Sequence, residues 1–357
     1  MKAGILTFYG ADSYGAVLQS YALEQAVVNM GAECELVNIN MRKKVAESKP
    51  AIPLGLRSSA VAASIYAKKI QEASEKRKVL FETFRKEHLI ISNEYFPEEN
   101  IAADYDVFIA GSDQIWNFDI PDTDVRYFLP FARPEQRFSY AASFGNNPPP
   151  EKAYKWCAAE LSKFSAISVR ETGGCDIVRN LTGKESVVCL DPVFLPEIDH
   201  WYNLSKQASK PEHVLLFMLK YDKELHQRAE GEANALGVPL KVVTAGFIPS
   251  LGMEAWNGTG VIAWLEAIRN AAAVYTNSFH GMAFSIIFKR PLRAALLGGE
   301  LAGRNDRIIE LLDKTGLSPC LKSASFEPDY DAAWNAIEPL RQESLAYLRA
   351  VLATVGE

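Results

Sequence analysis

The sequence predicts an α/β fold made of two Rossmann-like domains that face each other across a cleft. Short apolar runs of strand length alternate with longer stretches of helical periodicity, and the alternation resumes after an aperiodic segment at 196–211. The 357 residues are enough for two hydrophobic cores. Strands and helices that alternate in this way form parallel sheets covered by helices on both faces.

The first domain is expected at 1–195. It opens with one βαβ unit, formed by a strand at 4–8, a helix at 16–30 and a strand at 34–39. A stretch rich in Ala, Lys and Glu at 58–87 predicts a long helix with one solvated face. Apolar runs predict four further strands, at 106–110, 138–143, 166–169 and 186–190.

The second domain is expected at 212–327, and the aperiodic segment 196–211 is the predicted linker. Its predicted strands lie at 214–219, 240–244, 273–276 and 292–297, and its predicted helices at 223–236, 261–272 and 281–288. The last stretch, 328–357, is predicted to be helical and to pack back on the first domain.

Charge and cysteine content exclude several classes of protein. Lys plus Arg is 38 and Asp plus Glu is 44, so the net charge of −6 argues against a protein that coats nucleic acid. The five cysteines include no CxxC pair and are odd in number. This pattern favours reduced thiols in a cytosol over a disulfide framework or a zinc site, so we expect no bound metal.

No segment predicts secretion or a membrane span, and we expect a cytoplasmic protein. The first apolar run is too short for a signal peptide. The longest stretch without charged residues, 270–288, has polar side chains at its centre. The apolar stretch 60–67 beside Lys68 and Lys69 predicts a helix packed on its own domain, with peripheral membrane contact as the alternative.

Ligands of open α/β sheets bind beyond the carboxyl ends of the strands, which selects the polar residues after each apolar run. A Thr-Asn-Ser-Phe-His-Gly segment lies between a predicted strand and the next helix. The N–H groups of a helix N-terminus bind anions, so four residues here are candidate anion ligands: Asn277, Ser278, Phe279 and Gly281. Asn277 or Ser278 could instead cap the helix. His280 is the only histidine of the five at such a junction. It could transfer a proton near neutral pH, or it could be a structural histidine.

A second candidate segment follows the strand predicted at 106–110. Gly111 would let a ligand approach the backbone, and Ser112 and Gln114 offer polar groups beside it. Asp113 could orient or deprotonate a hydroxyl group. Alternatively, Asp113 caps a helix that carries the next apolar residues.

Arg170 ends another predicted strand. Its guanidinium could bind a carboxylate or phosphate, or form a structural ion pair with Glu171. The glycine-bearing loop before the first helix, with Tyr14 and Gly15, could also admit a ligand. It lacks the spacing of a dinucleotide-binding loop, and the sequence contains no P-loop, nucleophile elbow or HExxH pair.

Seven segments in order along the chain resemble the polysaccharide pyruvyl transferase family. They are YGAVLQ at 14–19, FIAGSDQIWN at 108–117, YAASFG at 140–145, SVRE at 168–171, LDPVF at 190–194, TNSFHG at 276–281 and NDRI at 305–308. The matches cover roughly the first 310 residues, and the Gly-Ser-Asp-Gln-x-Trp and Ser-Phe-His-Gly elements are the most specific of them.

The resemblance implies a fold similar to the B-type glycosyltransferases. The implied activity moves a pyruvyl group from phosphoenolpyruvate to sugar hydroxyls of a cell-wall or exopolysaccharide precursor, forming a ketal without a tightly bound cofactor. His280 is then the general acid, and Arg170 holds the donor. Asp113, selected above by its position, is the second candidate catalytic residue. The acceptor, a glycan or lipid-linked sugar, is assigned to the strand-end segments of the first domain: Tyr14, Gly15, Gly111, Ser112 and Gln114.

One position departs from the family pattern. Family members carry an arginine two residues before the histidine, where this chain has Ser278. Arg290, Arg293, Arg304 and Arg307 are candidates to replace it, and Arg307 is favoured because it belongs to a matching segment. Two alternatives stay open: a glycosyltransferase that uses a nucleotide-sugar, and a carbohydrate-binding relative without catalysis.

Overall fold

The structure is a computed structural model, and it describes residues 1–39, 60–95, 98–120, 123–145, 147–299, 305–323 and 326–354. The described chain forms two parallel sheets with helices between consecutive strands, which confirms the predicted two-domain α/β fold. Residues 58 and 59 of the predicted long helix, the end of the C-terminal helix beyond 354, and Arg304 lie outside the described residues.

The first sheet has six strands in the order β2-β1-β3-β4-β5-β6. They are β1 (Lys2–Leu6), β2 (Glu33–Leu36), β3 (Val107–Asp113), β4 (Arg137–Ala142), β5 (Ser168–Val169) and β6 (Val187–Val188). The helices between them are α1 (Tyr14–Asn29), α2 (Ala60–His88), α3 (Glu151–Leu161) and α4 (Thr172–Thr182). Alternate residues of β3 enter two different cores, because successive side chains of a strand point to opposite faces.

The second sheet has four strands in the order β10-β9-β7-β8. They are β7 (His213–Met218), β8 (Leu240–Thr244), β9 (Ala271–Thr276) and β10 (Leu292–Ala294). The remaining helices are α5 (Ile198–Leu204), α6 (Lys223–Leu236), α7 (Glu254–Asn257), α8 (Val261–Arg269), α9 (Phe279–Ile287), α10 (Asp306–Lys314) and α11 (Tyr330–Ala353).

Strand order places one topological switch point in each sheet, between β1 and β3 and between β7 and β9. At the switch point of the second sheet, a side chain from the loop after β9 binds the backbone at the end of β7. The amide of Asn277 accepts a hydrogen bond from the N–H of Leu219 at 2.9 Å and donates to the carbonyl of Lys220 at 2.8 Å. The loop after β9 is thereby held against the end of β7.

The chain passes from the first sheet to the second between Val188 and His213, and this passage includes helix α5. Trp201 of α5 is fully buried, and its ring lies 4.9 Å from that of Phe284 in the second domain. Near the C-terminus, Tyr347 of α11 donates a hydrogen bond to the carbonyl of Ser139 on β4 at 2.8 Å. Among the described residues, no helix combines the length and apolarity needed to cross a bilayer.

Two element boundaries differ from expectation and affect the site. Strand β3 continues beyond 106–110 and includes Ser112 and Asp113, because this segment keeps its pairing with β4. The residues at 114–120 form turns, so the alternative in which Asp113 caps a helix is wrong. Helix α9 begins at Phe279 rather than Gly281, which places His280 inside the first helical turn.

Candidate active site

His280 lies in the first turn of α9, just beyond the carboxyl end of β9. Ser278 is the N-cap of this helix, and its hydroxyl accepts a hydrogen bond from the N–H of Gly281 at 3.4 Å. The alternative predicted for Ser278 is therefore confirmed, whereas Asn277 holds the strand ends together instead. The cap fixes the start of the helix and with it the direction of the His280 side chain, which is 10% exposed.

The imidazole of His280 lies between the two domains. Its Nε2 is 3.4 Å from Oδ2 of Asp191, which follows β6 in the first domain. Its opposite side faces Gly15, in the first turn of α1. A Cβ atom at Gly15 would overlap Nδ1 and the neighbouring ring carbons, so only glycine leaves room for the imidazole here.

Arg170 links Asp191 to the end of β3. Its Nη1 is 3.2 Å from Oδ2 of Asp191, and its Nη2 donates to the hydroxyl of Ser112 at 2.8 Å and lies 3.5 Å from Oδ1 of Asp113. Its side chain is 2% exposed. The alternative of an ion pair with Glu171 is not formed, because Arg170 makes these contacts and the Glu171 carboxylate accepts a hydrogen bond from the hydroxyl of Ser143 at 2.8 Å.

The charges of this cluster shift one another's pKa values. Burial opposes ionisation of Asp191, but the positive charges of Arg170 and His280 outweigh it and hold the pKa of Asp191 well below its usual value. Burial also opposes the charge of Arg170, yet Asp191 and Asp113 raise its pKa. For Glu171 burial dominates and raises the pKa, although Arg170 acts against it.

A second guanidinium, that of Arg307, reaches the same place from the second domain. The Phe279 ring lies between the two arginines, with its centroid 5.2 Å from Cζ of Arg307 and 5.9 Å from Cζ of Arg170. Nε and Nη1 of Arg307 are buried and have no hydrogen-bond partner among the described residues. Burial, followed by repulsion from Arg170, lowers the pKa of Arg307 to about 10.

The other arginines proposed to replace the missing one have different surroundings. Arg293 donates to the carbonyl of Phe326 at 2.9 Å and lies 3.7 Å from the Glu232 carboxylate. Arg290 lies with Arg269 in the lining of a separate small pocket. Of the described candidates, Arg307 is the one that contacts Phe279 beside His280.

Several residues predicted to bind the acceptor are enclosed by protein. Tyr14 is 1% exposed, its ring stacks on that of Trp264 at 4.9 Å, and its hydroxyl donates to the carbonyl of Thr259 at 2.7 Å. Ser112 is fully buried, and its hydroxyl donates to the carbonyl of Ala141 at 2.9 Å. These side chains stabilise the folded site in this structure.

The neighbouring acceptor candidates are also close to other protein groups. Gly111 has a φ of +122°, and a Cβ there would overlap the carbonyl of Tyr140, so packing against β4 requires glycine. Gln114 is 4% exposed. Asp113 is more accessible, with a side chain that is 15% exposed and an Oδ1 that accepts from the N–H of Gln114 at 2.8 Å.

Asp191 is the site residue to which the sequence analysis assigned no role. It is fully buried, and its Oδ2 contacts both Arg170 and His280. The rule that selected the other candidates would have found it, because Asp191 is the first polar residue after the apolar run 187–190.

Fold and site together define a two-domain α/β protein whose interdomain cleft holds an imidazole, carboxylates and two guanidinium groups. A sequence model of the family "Polysaccharide pyruvyl transferase" matches residues 14–294, most of the chain. The chain therefore belongs to the polysaccharide pyruvyl transferase family. A sequence comparison with curated proteins found no significant match.

Solved structures similar to this chain include several glycosyltransferases. UGT89C1 of Arabidopsis thaliana, complexed with UDP-L-rhamnose, has a TM-score of 0.49 and 9% identity, over 98% of each chain. The glycosyltransferase SnogD from Streptomyces nogalater has a TM-score of 0.39 and 12% identity, over 99% of each chain. The spinosyn rhamnosyltransferase SpnG has a TM-score of 0.40 and 11% identity, over 99% of this chain and 96% of that one. Likeness at this level carries no information about the reaction.

Proposed function

We propose that this protein transfers the pyruvyl group of phosphoenolpyruvate to two hydroxyls of a sugar in a glycan or lipid-linked precursor, with His280 as the general acid. The observation that supports this most directly is the position of His280. Its imidazole lies where the carboxyl ends of both sheets meet, 3.4 Å from Asp191, on the helix that also presents Phe279 to two guanidinium groups.

The chemistry requires one proton donor and a means of holding an anion. The alkene electron pair of the donor takes a proton from the His280 imidazolium, which makes the methylene carbon a methyl group and leaves the neighbouring carbon cationic. One sugar hydroxyl attacks that carbon, and phosphate leaves with the electron pair of its C–O bond. The second hydroxyl then closes the ketal. Of the two hydroxyl protons released, one restores the imidazolium and one leaves with phosphate.

Arg307 is the group that we assign to the anionic donor. Its Nε and Nη1 have no hydrogen-bond partner among the described residues, and it lies beside Phe279, which directly follows the serine that replaces the family's arginine. A charge-assisted hydrogen bond from such a group contributes about 1.5–3 kcal/mol. The guanidinium of Arg170 already contacts the carboxylates of Asp191 and Asp113. We therefore propose that Arg170 affects donor binding through these two carboxylates rather than by contacting the donor.

Asp113 is the carboxylate that we assign to the acceptor hydroxyl. It ends β3 beside the switch point of the first sheet, with a φ of +76° that aspartate adopts less readily than glycine. Its side chain is held by Gln114 and Arg170 but is still partly exposed. A positioned carboxylate there can accept the proton of an attacking hydroxyl.

The test measures phosphate release from phosphoenolpyruvate in the presence of sugar acceptors. His280→Gln is expected to lower the turnover rate by about 10²- to 10⁴-fold, because the general acid is lost. The affinity of His280→Gln for phosphoenolpyruvate, measured by calorimetry, should stay close to that of the wild type. His226→Gln is the matched control, because His226 is a partly exposed imidazole on α6, 3.5 Å from Glu230 and outside the cluster around His280.

Full turnover in His280→Gln would remove this residue from the mechanism. Release of a nucleoside diphosphate from a nucleotide-sugar, with no release of phosphate from phosphoenolpyruvate, would establish the glycosyltransferase alternative instead. Glycan binding without either reaction would identify a carbohydrate-binding relative.

A further inference from the structure

We infer that Asp191 is a positioning residue that holds the Nε2–H of His280, so that Nδ1 is the ring atom that exchanges a proton with the ligand. The inference rests on the proposed role of His280 as an acid and adds which nitrogen acts and what orients it. It is carried by the contacts on the two sides of the imidazole.

The carboxylate of Asp191 is fixed from three directions. Its Oδ1 accepts a hydrogen bond from the N–H of Val193 at 3.2 Å, in the turn that begins with Pro192. Its Oδ2 lies 3.2 Å from Nη1 of Arg170 and 3.4 Å from Nε2 of His280. The side chain is fully buried, so these oxygens do not face the bulk solvent. The carboxylate therefore has one orientation relative to the ring.

The charge state of Asp191 decides which ring nitrogen carries the proton. An ionised carboxylate only accepts hydrogen bonds, and the positive charge of the neighbouring Arg170 favours the ionised form of Asp191. The nitrogen facing it, Nε2, must then be the N–H of the neutral imidazole. The lone pair is left on Nδ1, which takes up a proton when the ring becomes an acid.

The surroundings of Nδ1 differ from those of Nε2. Nδ1 faces Gly15 in the first turn of α1. Ser13, the N-cap of that helix, makes no side-chain hydrogen bond to the helix backbone. Nε2 is buried and makes no hydrogen bond of ordinary geometry to the described part of the chain, and the carboxylate oxygen that it faces is Oδ2 of Asp191, 3.4 Å away. The structure also records no hydrogen bond for Nδ1 among the described residues. Nδ1 is therefore the nitrogen on the side of the first domain's switch point, where a donor and acceptor would meet.

The tautomer can be read by ¹⁵N NMR of protein labelled at its five histidines, with His280→Gln identifying the signals. In the wild-type protein we expect a protonated Nε2 and a bare Nδ1 for the neutral ring. This readout does not depend on turnover, so it decides the orientation of His280 even if the protein transfers no pyruvyl group. The opposite pattern, with the proton on Nδ1, would overturn the inference.

Asp191→Asn tests the effect on catalysis. We expect turnover to fall by about 10²- to 10⁴-fold, with little change in KM for phosphoenolpyruvate, because a neutral amide neither fixes the tautomer nor stabilises the imidazolium. In the His280→Gln background the same substitution should lower turnover no further. Undiminished turnover in Asp191→Asn, or a full additional loss in the double variant, would refute the positioning role.

Glu160→Gln is the matched control for loss of a buried ion pair. Glu160 pairs with Arg137 at 2.8 Å in the first domain and makes no contact with His280. Its substitution should lower thermal stability but leave turnover and the His280 tautomer unchanged. A loss of turnover there equal to that of Asp191→Asn would reduce the effect at Asp191 to general destabilisation and so contradict the inference.

Discussion

Gly15 shows how one residue joins the two domains at the site. It lies in a helix, where alanine is ordinarily more favourable than glycine by about 0.5–1 kcal/mol. The His280 ring occupies the space that a Cβ would take, so the local preference is overridden by a contact between domains. Gly15 was predicted to bind the acceptor, and its place beside Nδ1 of His280 keeps it in the cleft.

Gly15→Ala is expected to lower turnover, because the methyl group would push the imidazole away from Asp191. The predicted loss is tenfold or more, without the gain in stability that helix propensity would give. Steady-state kinetics and thermal unfolding together measure both effects. The control is Gly231→Ala in α6, where a Cβ meets no atom within 4 Å; it should gain about 1 kcal/mol and keep full turnover. Full turnover in Gly15→Ala would show that the ring has no such constraint.

Ser278 illustrates a residue whose two expected roles are separable. As the N-cap of α9 it satisfies a backbone N–H, which is a structural role. As the position where the family has an arginine, it places no guanidinium at the start of α9. Arg307 reaches the neighbouring Phe279 from α10, a helix far along the chain. A guanidinium from α10 thus lies next to the start of α9, where the family's arginine would stand.

At the scale of elements, α1 contains a buried acid with a consequence for stability. Glu24 is fully buried, and its Oε1 accepts a hydrogen bond from the N–H of Ile90 at 2.8 Å. Its Oε2 has no hydrogen-bond partner among the described residues. Burial raises the pKa of Glu24 to about 8. The folded protein therefore keeps a proton that the unfolded chain releases near pH 4.5.

Between pH 4.5 and about 8 the folded state binds more protons at Glu24, so its free energy of unfolding falls as the pH rises. Glu24→Gln removes this dependence and keeps an acceptor for Ile90. Denaturant unfolding at pH 5 and pH 8 measures the free energy of unfolding of both proteins. Relative to the wild type, the unfolding free energy of the variant should increase from pH 5 to pH 8, by an amount on the order of a few kcal/mol. Glu33→Gln, at an exposed position, should not change the pH dependence. An equal difference between Glu24→Gln and wild type at both pH values would contradict the prediction.

The accuracy with which elements could be predicted depended on their periodicity. Helix α6 and strand β8 have the predicted bounds, because both are clearly patterned and end at a glycine or a turn. Strand β3 is longer than expected, since the pairing of Gly111 and Asp113 with β4 comes from the sheet rather than from local apolar character. Edge strand β6 is shorter than expected, with only two paired residues.

At the scale of the whole molecule, one of the hydrophobic clusters extends across both domains. Tyr14 of the first domain stacks on Trp264 of the second, and its ring also meets that of Phe217 at 5.7 Å. Arg77 of α2 donates one hydrogen bond to the carbonyl of Asp12 in its own domain and another to the carbonyl of Trp256 in the second domain. The relative position of the domains, on which the His280–Asp191 contact depends, is therefore held by packing.

Tyr14→Phe and Tyr14→Ala distinguish this packing role from acceptor binding. The phenylalanine variant loses the hydrogen bond to Thr259 and should lose about 0.5–1.5 kcal/mol of unfolding free energy. The alanine variant also loses the ring and should lose about 3–5 kcal/mol. Denaturant unfolding measures both, and the acceptor KM of Tyr14→Phe should stay near that of the wild type. A raised acceptor KM with unchanged stability would instead place the Tyr14 hydroxyl at the acceptor.

The sequence by itself determined the α/β class, the family and the segments that carry the chemistry, because strand and helix periodicity and local motifs are properties of neighbouring residues. It led to His280, Arg170, Asp113 and Arg307. Only the tertiary structure decided which of these meet: His280 faces Asp191 and Gly15, Arg170 is paired with Asp191, and Tyr14 is buried between the domains. The contacts of His280 and Tyr14 join residues more than 80 positions apart, and they depend on how two sheets pack, which no local pattern encodes.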